Sequence, residues 1–271
     1  MRQILAIDTG GTKTLMVAFD EDGNPLHEVK YPTPKDPAEY IRKLADTTRQ
    51  EFAVDEIVAI SIATPGYIEN GVVKDYDKLE WQDFHLVEQI SAEFPSTEVT
   101  LLNDAKLGAL GVTTEVESNR MMYLTLSTGI NMGMMINEQI SNELVHSEIG
   151  KITLTIDDKT DIWENFASGQ AFVATHGKYG DEIDDEETWR NYAEKVGAGL
   201  SASLSILQPD TIVIGGSMAH HVDKYLPYLR EIIARDVWPS YQNIQIAAAQ
   251  DPDRAVIYGC YRYAKEQSSA K

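Results

Sequence analysis

The chain has 271 residues, 43% of them hydrophobic and 24% charged, which suits two lobes or one large soluble domain better than a single small core. A formal net charge of −20 repels phosphodiester backbones and argues against a nucleic-acid partner, and no apolar run approaches the ~20 residues needed to span a bilayer. The single cysteine, Cys260, excludes an intrachain disulfide and a cysteine-built zinc site and fits a reducing cytoplasm. It sits in an apolar run that reads as packing. No basic and then apolar leader precedes the first strand, so no signal peptide is expected.

In chain order, a hydrophobic strand from Ile4 runs into Asp8 and a hydroxyl-rich turn, Thr9-Gly10-Gly11-Thr12-Lys13-Thr14, followed at once by a second strand, Leu15 to Phe19. A plain hairpin turn has no need of Asp8. The glycines let backbone N–H groups approach an anion, and a carboxylate at a strand end can hold hydrated Mg²⁺ against phosphate oxygens. A third strand is predicted at Leu26 to Tyr31, a helix at Pro37 to Phe52 from its apolar spacing and its proline in the first turn, and a buried strand at Glu56 to Ala63 ending in Thr64-Pro65-Gly66. Phe84 to Phe94 reads as a helix and Glu98 to Leu102 as a strand. Strands joined by crossover helices make the fold α/β.

A second cycle starts at Met121. A strand to Leu126 leads into Ser127-Thr128-Gly129-Ile130-Asn131-Met132-Gly133, with the next strand at Met134 to Ile136. Strand, Thr-Gly turn, strand repeats the N-terminal arrangement and predicts two related lobes facing one another across a cleft. Thr188 to Leu207 is the clearest helix, in which Gly197 and Gly199 mark close packing. A strand at Thr211 to Ile214 enters Gly215-Gly216-Ser217. A helix over Tyr225 to Val237, a strand at Ile244 to Ala249 and a terminal helix at Arg254 to Lys265 complete the pattern. The acidic run 181–187 lacks calcium-loop spacing and reads as a solvated loop and helix start. The adjacent pair His220-His221 is a poor metal site, because neighbours on a helix face apart.

Asn103-Asp104 stands at a strand end and a helix start. Two readings are open. Either residue can cap the helix, or Asp104 takes the proton from an attacking hydroxyl while Asn103 holds a neighbouring hydroxyl.

Taken together, the segments 8–13, 103–105, 127–133, 163–169 and 206–217 resemble, in order, the motifs of the ROK family of sugar kinases within the actin-like ATPase superfamily. The resemblance implies two actin-like, RNase H-like lobes with mixed sheets flanked by helices and an interlobe cleft. The N-terminal lobe is expected over 1–103, completed by a C-terminal helix at 254–266, and the larger C-terminal lobe over 104–253. It implies ATP-dependent phosphoryl transfer to a hexose or amino sugar, with Asp104 as general base. Asn103, Glu148, Glu164, Lys151 and Gly66 are expected on the sugar. Gly10, Gly11, Thr12, Lys13, Thr128 and Gly129 are expected on the phosphates, Gly215 and Gly216 at the adenosine, and Asp8 on Mg²⁺ through water. The family's Glu-x-Gly-His is here Glu148-Ile149-Gly150-Lys151, and its cysteine-rich zinc segment is replaced by 152–161 without cysteine. A zinc-free member is therefore expected. Trp81, in a segment loosely similar to the family's loop over the sugar, reads as packing. The resemblance allows a homodimer, which no residue pattern specifies. It leaves three rivals: a family repressor, for which no helix-turn-helix precedes residue 8; a non-catalytic sugar sensor; and a polyphosphate-dependent kinase.

Overall fold

The structure is a computed structural model and describes residues 2–76 and 78–269. Contacts divide the chain into two units, Met1–Gly111 with Val256–Lys271, and Val112–Ala255. The first unit opens with β1 (Gln3–Thr9), β2 (Lys13–Phe19), β3 (Pro25–Pro32), α1 (Pro37–Glu51) and β4 (Ile57–Thr64). It continues with β5 (Tyr67–Glu69), β6 (Val72–Tyr76), β7 (Trp81–Phe84), α2 (Leu86–Glu93), β8 (Glu98–Asn103) and α3 (Asp104–Val112). Its main sheet has the order β3-β2-β1-β4-β8. The β1–β2–β3 pairings are antiparallel, and β1, β4 and β8 run parallel.

Both faces of this sheet are covered, so its strands read as nearly continuous apolar runs. The alternation along β1 still sorts them. Leu5 and Ile7 join Met16, Ile60 and Ile62 against Tyr40 and Leu44 of α1 and Leu86 and Ile90 of α2. Ile4 and Ala6 point the other way, with Val17, Phe19 and Ala59, onto Leu107 of α3. Helix α1 starts where its sequence says it should. Asp36 Oδ1 accepts the Glu39 N–H at 2.8 Å and Pro37 fills the first turn.

The antiparallel meander β5-β6-β7 was not anticipated, and the helix predicted from Phe84 begins at Leu86, because Phe84 closes β7. The missed signal is Asn70-Gly71, both at positive φ (49° and 78°), a hairpin dipeptide between very short strands.

The second unit contains β9 (Arg120–Leu126), β10 (Ile130–Ile136), β11 (Gln139–Ile140), β12 (Thr153–Ile156), β13 (Lys159–Ile162), α4 (Glu164–Ala167) and α5 (Gly169–His176). It ends with α6 (Glu186–Leu207), β14 (Thr211–Gly215), α7 (Val222–Asp236) and β15 (Gln245–Ala248). Its main sheet, β11-β10-β9-β14-β15, repeats the pattern of three antiparallel strands followed by two parallel partners. The turn predicted over 127–133 is shorter than expected. Only Ser127 to Gly129 form it, and β10 begins at Ile130. Asn131 and Gly133 disguise the strand, although both are buried. Residues 152–161, where the family's zinc segment was expected to be lost, fall largely in the hairpin β12–β13.

The acidic run before α6 ends in a cap, with Asp185 Oδ2 accepting the Thr188 N–H at 2.8 Å. Within α6, a Cβ on Gly199 would lie 2.0 Å from the Trp163 ring, and one on Gly197 2.5 Å from Ile232. Gly199→Ala gains about 1 kcal/mol of helix propensity, but overpacking a ring with no room to move costs about 1–3 kcal/mol. A net lowering of the urea midpoint is therefore expected. A raised midpoint would show that Trp163 can shift.

Helix α8 (Ala255–Ser269) belongs to the first unit. Ile257, Cys260 and Tyr261 cover the Ile4–Ala6 face together with Leu107, and the buried Cys260 Sγ lies 3.6 Å from the Ile7 carbonyl oxygen. Gly259 permits this contact, since a Cβ there would fall 1.8 Å from the Leu107 carbonyl oxygen. The same cluster holds α3 in the first unit, so the chain passes to the second unit after Gly111, whereas the sequence reading divided it between Asn103 and Asp104.

Candidate active site

In the first unit, Asp8 and Asn103-Asp104 stand at the carboxyl ends of β1 and β8, the two parallel neighbours of β4. That end of an α/β sheet is where ligands are bound, because loops and helix N-termini gather there. Both carboxylates are enclosed by protein yet keep a solvent-reachable face. Burial, and then the Asp104 carboxylate, push Asp8 up to about 7, against the pull of Lys30. Asp104 is likewise raised by burial, opposed by the Ala105 N–H, Lys106 and Lys78. An enclosed acidic pair of this kind fits a hard divalent cation. Mg²⁺ is held through one or two carboxylates, its waters and substrate phosphates, not by an all-protein cage. Among the described residues no group of three or more His, Cys, Asp or Glu gathers to make such a cage.

Between β1 and β2 the Gly10 N–H donates to the Lys13 carbonyl at 2.9 Å. Thr33 clamps the turn from β3's end: its hydroxyl donates to the Gly10 carbonyl at 2.8 Å and its N–H to the Thr12 carbonyl at 3.1 Å. Thr12 and Lys13 are exposed at the tip. Below it, Thr9 Oγ1 and Tyr40 Oη are 2.7 Å apart. Tyr40 meets Trp81 edge-on at 4.9 Å, and the Trp81 indole donates to the Lys35 carbonyl at 2.6 Å. The meander thus props the turn, and Trp81 is packing as expected.

Two neighbours of the turn were missed by sequence reasoning. A Cβ on Gly11 would come 2.7 Å from the Tyr76 hydroxyl and 3.4 Å from Lys78 Cβ. Both residues carry charge-sensitive links to the pair, since Tyr76 is raised by burial and then by Asp104 and Asp8, and Lys78 acts on Asp104. Tyr76 ends, and Lys78 follows, a strand of five residues, too short for periodicity to mark.

Asn103 is buried. Its Nδ2 donates to the Gly66 carbonyl at 3.0 Å, and its Oδ1 accepts the Ala105 N–H at 3.0 Å. Asp104 Oδ1 accepts the same N–H at 2.8 Å, so both residues serve the start of α3 and the capping role is real. Gly66, at φ +94° with Asp75's carbonyl 2.3 Å from any Cβ, holds Asn103 in place.

In the second unit, the turn Ser127-Thr128-Gly129 is enclosed by several segments. Thr128 is exposed. The Ser127 carbonyl accepts the Gln170 N–H at 3.3 Å. Gly216, at φ +76°, lies where a Cβ would be 2.7 Å from the Leu126 carbonyl oxygen. Gly215 has a packing reason of its own, because the buried Tyr123 hydroxyl would sit 2.0 Å from its Cβ. Glu148 Oε1 accepts from Asn131 Nδ2 at 3.0 Å. Glu164 Oε2 accepts the Ile130 N–H at 3.3 Å, and its Oε1 takes the Lys151 ammonium at 2.5 Å. Glu148, Lys151 and Glu164 therefore surround the start of β10, next to the turn.

The sequence profile of the ROK family matches residues 4–267. A glucokinase of Streptomyces coelicolor is 26% identical over 97% of both chains. The solved structure of a ROK family glucokinase from Streptomyces griseus, in complex with glucose and AMPPNP, superposes with a TM-score of 0.84 at 21% identity, covering 97% of this chain and 99% of that one. An inorganic polyphosphate/ATP-glucomannokinase from Arthrobacter sp. strain KM superposes at 0.77 with 22% identity, over 98% and 100%. The fold is thus the actin-like α/β fold of these sugar kinases, and the chain belongs to the ROK family.

Proposed function

We propose that the protein is an ATP-dependent sugar kinase, glucokinase-like, acting on a hydroxyl of a hexose or amino sugar. The observation that carries this reading is the enclosed pair Asp8 and Asp104 at the carboxyl ends of β1 and β8, beside a Gly-Gly turn. Asp104 accepts the proton of the sugar hydroxyl as that oxygen bonds to the γ-phosphorus and the bond to ADP breaks. In a loose phosphoryl-transfer transition state, orientation of this oxygen contributes more than its prior ionisation. Asn103, held by Gly66, positions the neighbouring hydroxyl. In the second unit, Glu148 and Glu164 keep acceptor capacity for sugar hydroxyls, since a carboxylate has about four lone-pair sites.

In the first unit, Gly11, Thr12 and Lys13 offer backbone N–H groups, a hydroxyl and an ammonium to phosphate oxygens on the turn that Gly10 closes; in the second, Thr128 and Gly129 offer a phosphate turn of their own. Gly216 and the tightly packed Gly215 serve the adenosine. When bound, Mg²⁺ neutralises phosphate charge, and Asp8 is the residue to hold it through water. Zinc has no part in this reading. The glucokinase relative and the neighbour solved with glucose and AMPPNP support sugar and ATP as substrates, and the reading carries with it a cytoplasmic location.

The polyphosphate-using neighbour makes the donor worth testing directly. A panel of hexoses and amino sugars with ATP and Mg²⁺, read by ADP release, is expected to give sugar-dependent turnover. Sugar binding without ADP release would make the protein a sensor, and turnover with polyphosphate but not ATP would replace the donor.

A further inference from the structure

The residues 148–151 grip the first two residues of β10 at three points. Glu148 Oε1 takes the Asn131 amide nitrogen at 3.0 Å. Gly150 lies so close to Ile130 that a Cβ would fall 2.1 Å from its carbonyl oxygen. Lys151 reaches the preceding peptide, Gly129–Ile130, through a carboxylate: its ammonium is 2.5 Å from Glu164 Oε1, and Glu164 Oε2 accepts the Ile130 N–H at 3.3 Å. That second oxygen is also 2.9 Å from where a Cβ of Gly129 would stand, so glycine there is what admits the carboxylate to the turn.

Exposed ion pairs on their own contribute little. This pair differs in what its carboxylate does. The Glu164 side chain is only 21% exposed, and it has three χ-bonds between its anchor on α4 and the turn that would otherwise be free to rotate. A charge-assisted bond on one oxygen fixes the plane of the other. Removing the ammonium leaves the carboxylate free to turn to water and to release the Ile130 N–H. The peptide it would release is the one that closes Ser127-Thr128-Gly129.

We infer that Lys151 is a positioning residue for the phosphate donor: acting through Glu164, it fixes the Ile130 peptide and with it the Thr128-Gly129 turn. The lysine that stands in the place of the family's histidine, and that was itself expected on the sugar, thus serves the nucleotide. This rests on the reading of that turn as a phosphate site.

The test is calorimetric binding of AMPPNP with Mg²⁺, and separately of the sugar with the highest turnover in the panel, to the wild type, Lys151→Met, Lys151→Arg and Glu164→Gln. Lys151→Met is expected to weaken AMPPNP about 5–10-fold, to raise the KM for ATP by a similar factor, and, because Glu164 also serves the sugar, to lower sugar affinity by a clearly smaller factor. Lys151→Arg keeps the charged bond and restores AMPPNP binding to within 2-fold. The double variant Lys151→Met with Glu164→Gln should bind AMPPNP no more weakly than Glu164→Gln alone, since the two act as one unit. A loss of sugar affinity with AMPPNP binding unchanged would overturn the inference in favour of a direct sugar contact, and unchanged binding of both would reduce the pair to a surface contact. If no sugar supports turnover in the wild type, the kinase reading fails, while the AMPPNP titrations still decide whether Lys151 governs the turn.

Discussion

Asp104→Asn is expected to lower kcat by ~10²–10⁴-fold, the range a positioned general base contributes, while sugar affinity changes by no more than a few fold. The asparagine keeps the acceptor that caps the Ala105 N–H, so α3 should start as before and the fold should be intact. Single-turnover measurement with ATP and the best sugar separates the chemical step from binding, and unchanged transfer would remove Asp104 from its role. The same carboxylate sets a pH dependence. Its charged neighbours are Asp8 at the end of β1, Lys106 in the first turn of α3 and Lys78 after β6. Burial raises its pKa, so the base is lost as pH falls through a value above the usual carboxylate range, giving an acid limb to kcat. Lys78 works against that rise. Lys78→Met is therefore expected to move the acid limb to higher pH, and a limb that stays in place or moves down would contradict the electrostatic assignment.

Asp8→Asn should weaken activity and its Mg²⁺ dependence together, yet make the free protein more stable in alkaline solution. The folded-state value of about 7 lies above the ~3.9 of an unfolded aspartate. The folded form therefore binds this proton more tightly, and the stability it lends is complete below about pH 4 and is lost as pH rises to 7. Above pH 7 the wild type carries an enclosed charge beside Asp104, which Asn removes. At pH 8, without nucleotide or Mg²⁺, the variant should gain about 1–3 kcal/mol, roughly 2–10 °C in Tm. Below about pH 4, where Asp8 is protonated in the folded and the unfolded state alike, the two proteins should differ little, and the gap should open progressively between pH 4 and 7. Equal Tm values at pH 8 would mean that the Asp8 carboxylate is better solvated than its surroundings indicate. Mg²⁺ with nucleotide should favour the wild type at pH 8, because only its carboxylate can hold the ion.

The parts of this chain that sequence made legible are those where one physical demand dominates. Alternation and apolar runs marked most strands of both main sheets, β11 and the first half of β10 excepted, and the three- and four-residue steps of α6 marked the longest helix. The Gly-Gly turn after Asp8 announced itself because its residue types make no sense in a buried strand. What stayed hidden depends on partners distant in sequence. The meander β5-β6-β7 is built of strands of three to five residues, shorter than a period can establish. Ile130 was assigned to a turn because Asn131 and Gly133 broke the pattern, and contacts such as that with Glu148 explain a buried asparagine there. Tyr76 and Lys78 lie near Gly11 by tertiary approach alone. Lys151 could be flagged as a departure, but its partner Glu164 lies beyond a whole hairpin, and no local rule joins them.

Helix α8 has one further consequence. The sheet face formed by Ile4, Ala6, Val17 and Phe19 is covered by Ile257, Cys260 and Tyr261, which leave the ribosome only after the entire second unit. At ~5–20 residues per second, that face waits many seconds for its cover. The later-coded half of the protein is thus able to mature before the earlier one, and a nascent chain stalled before residue 255 would present a bare apolar surface to chaperones.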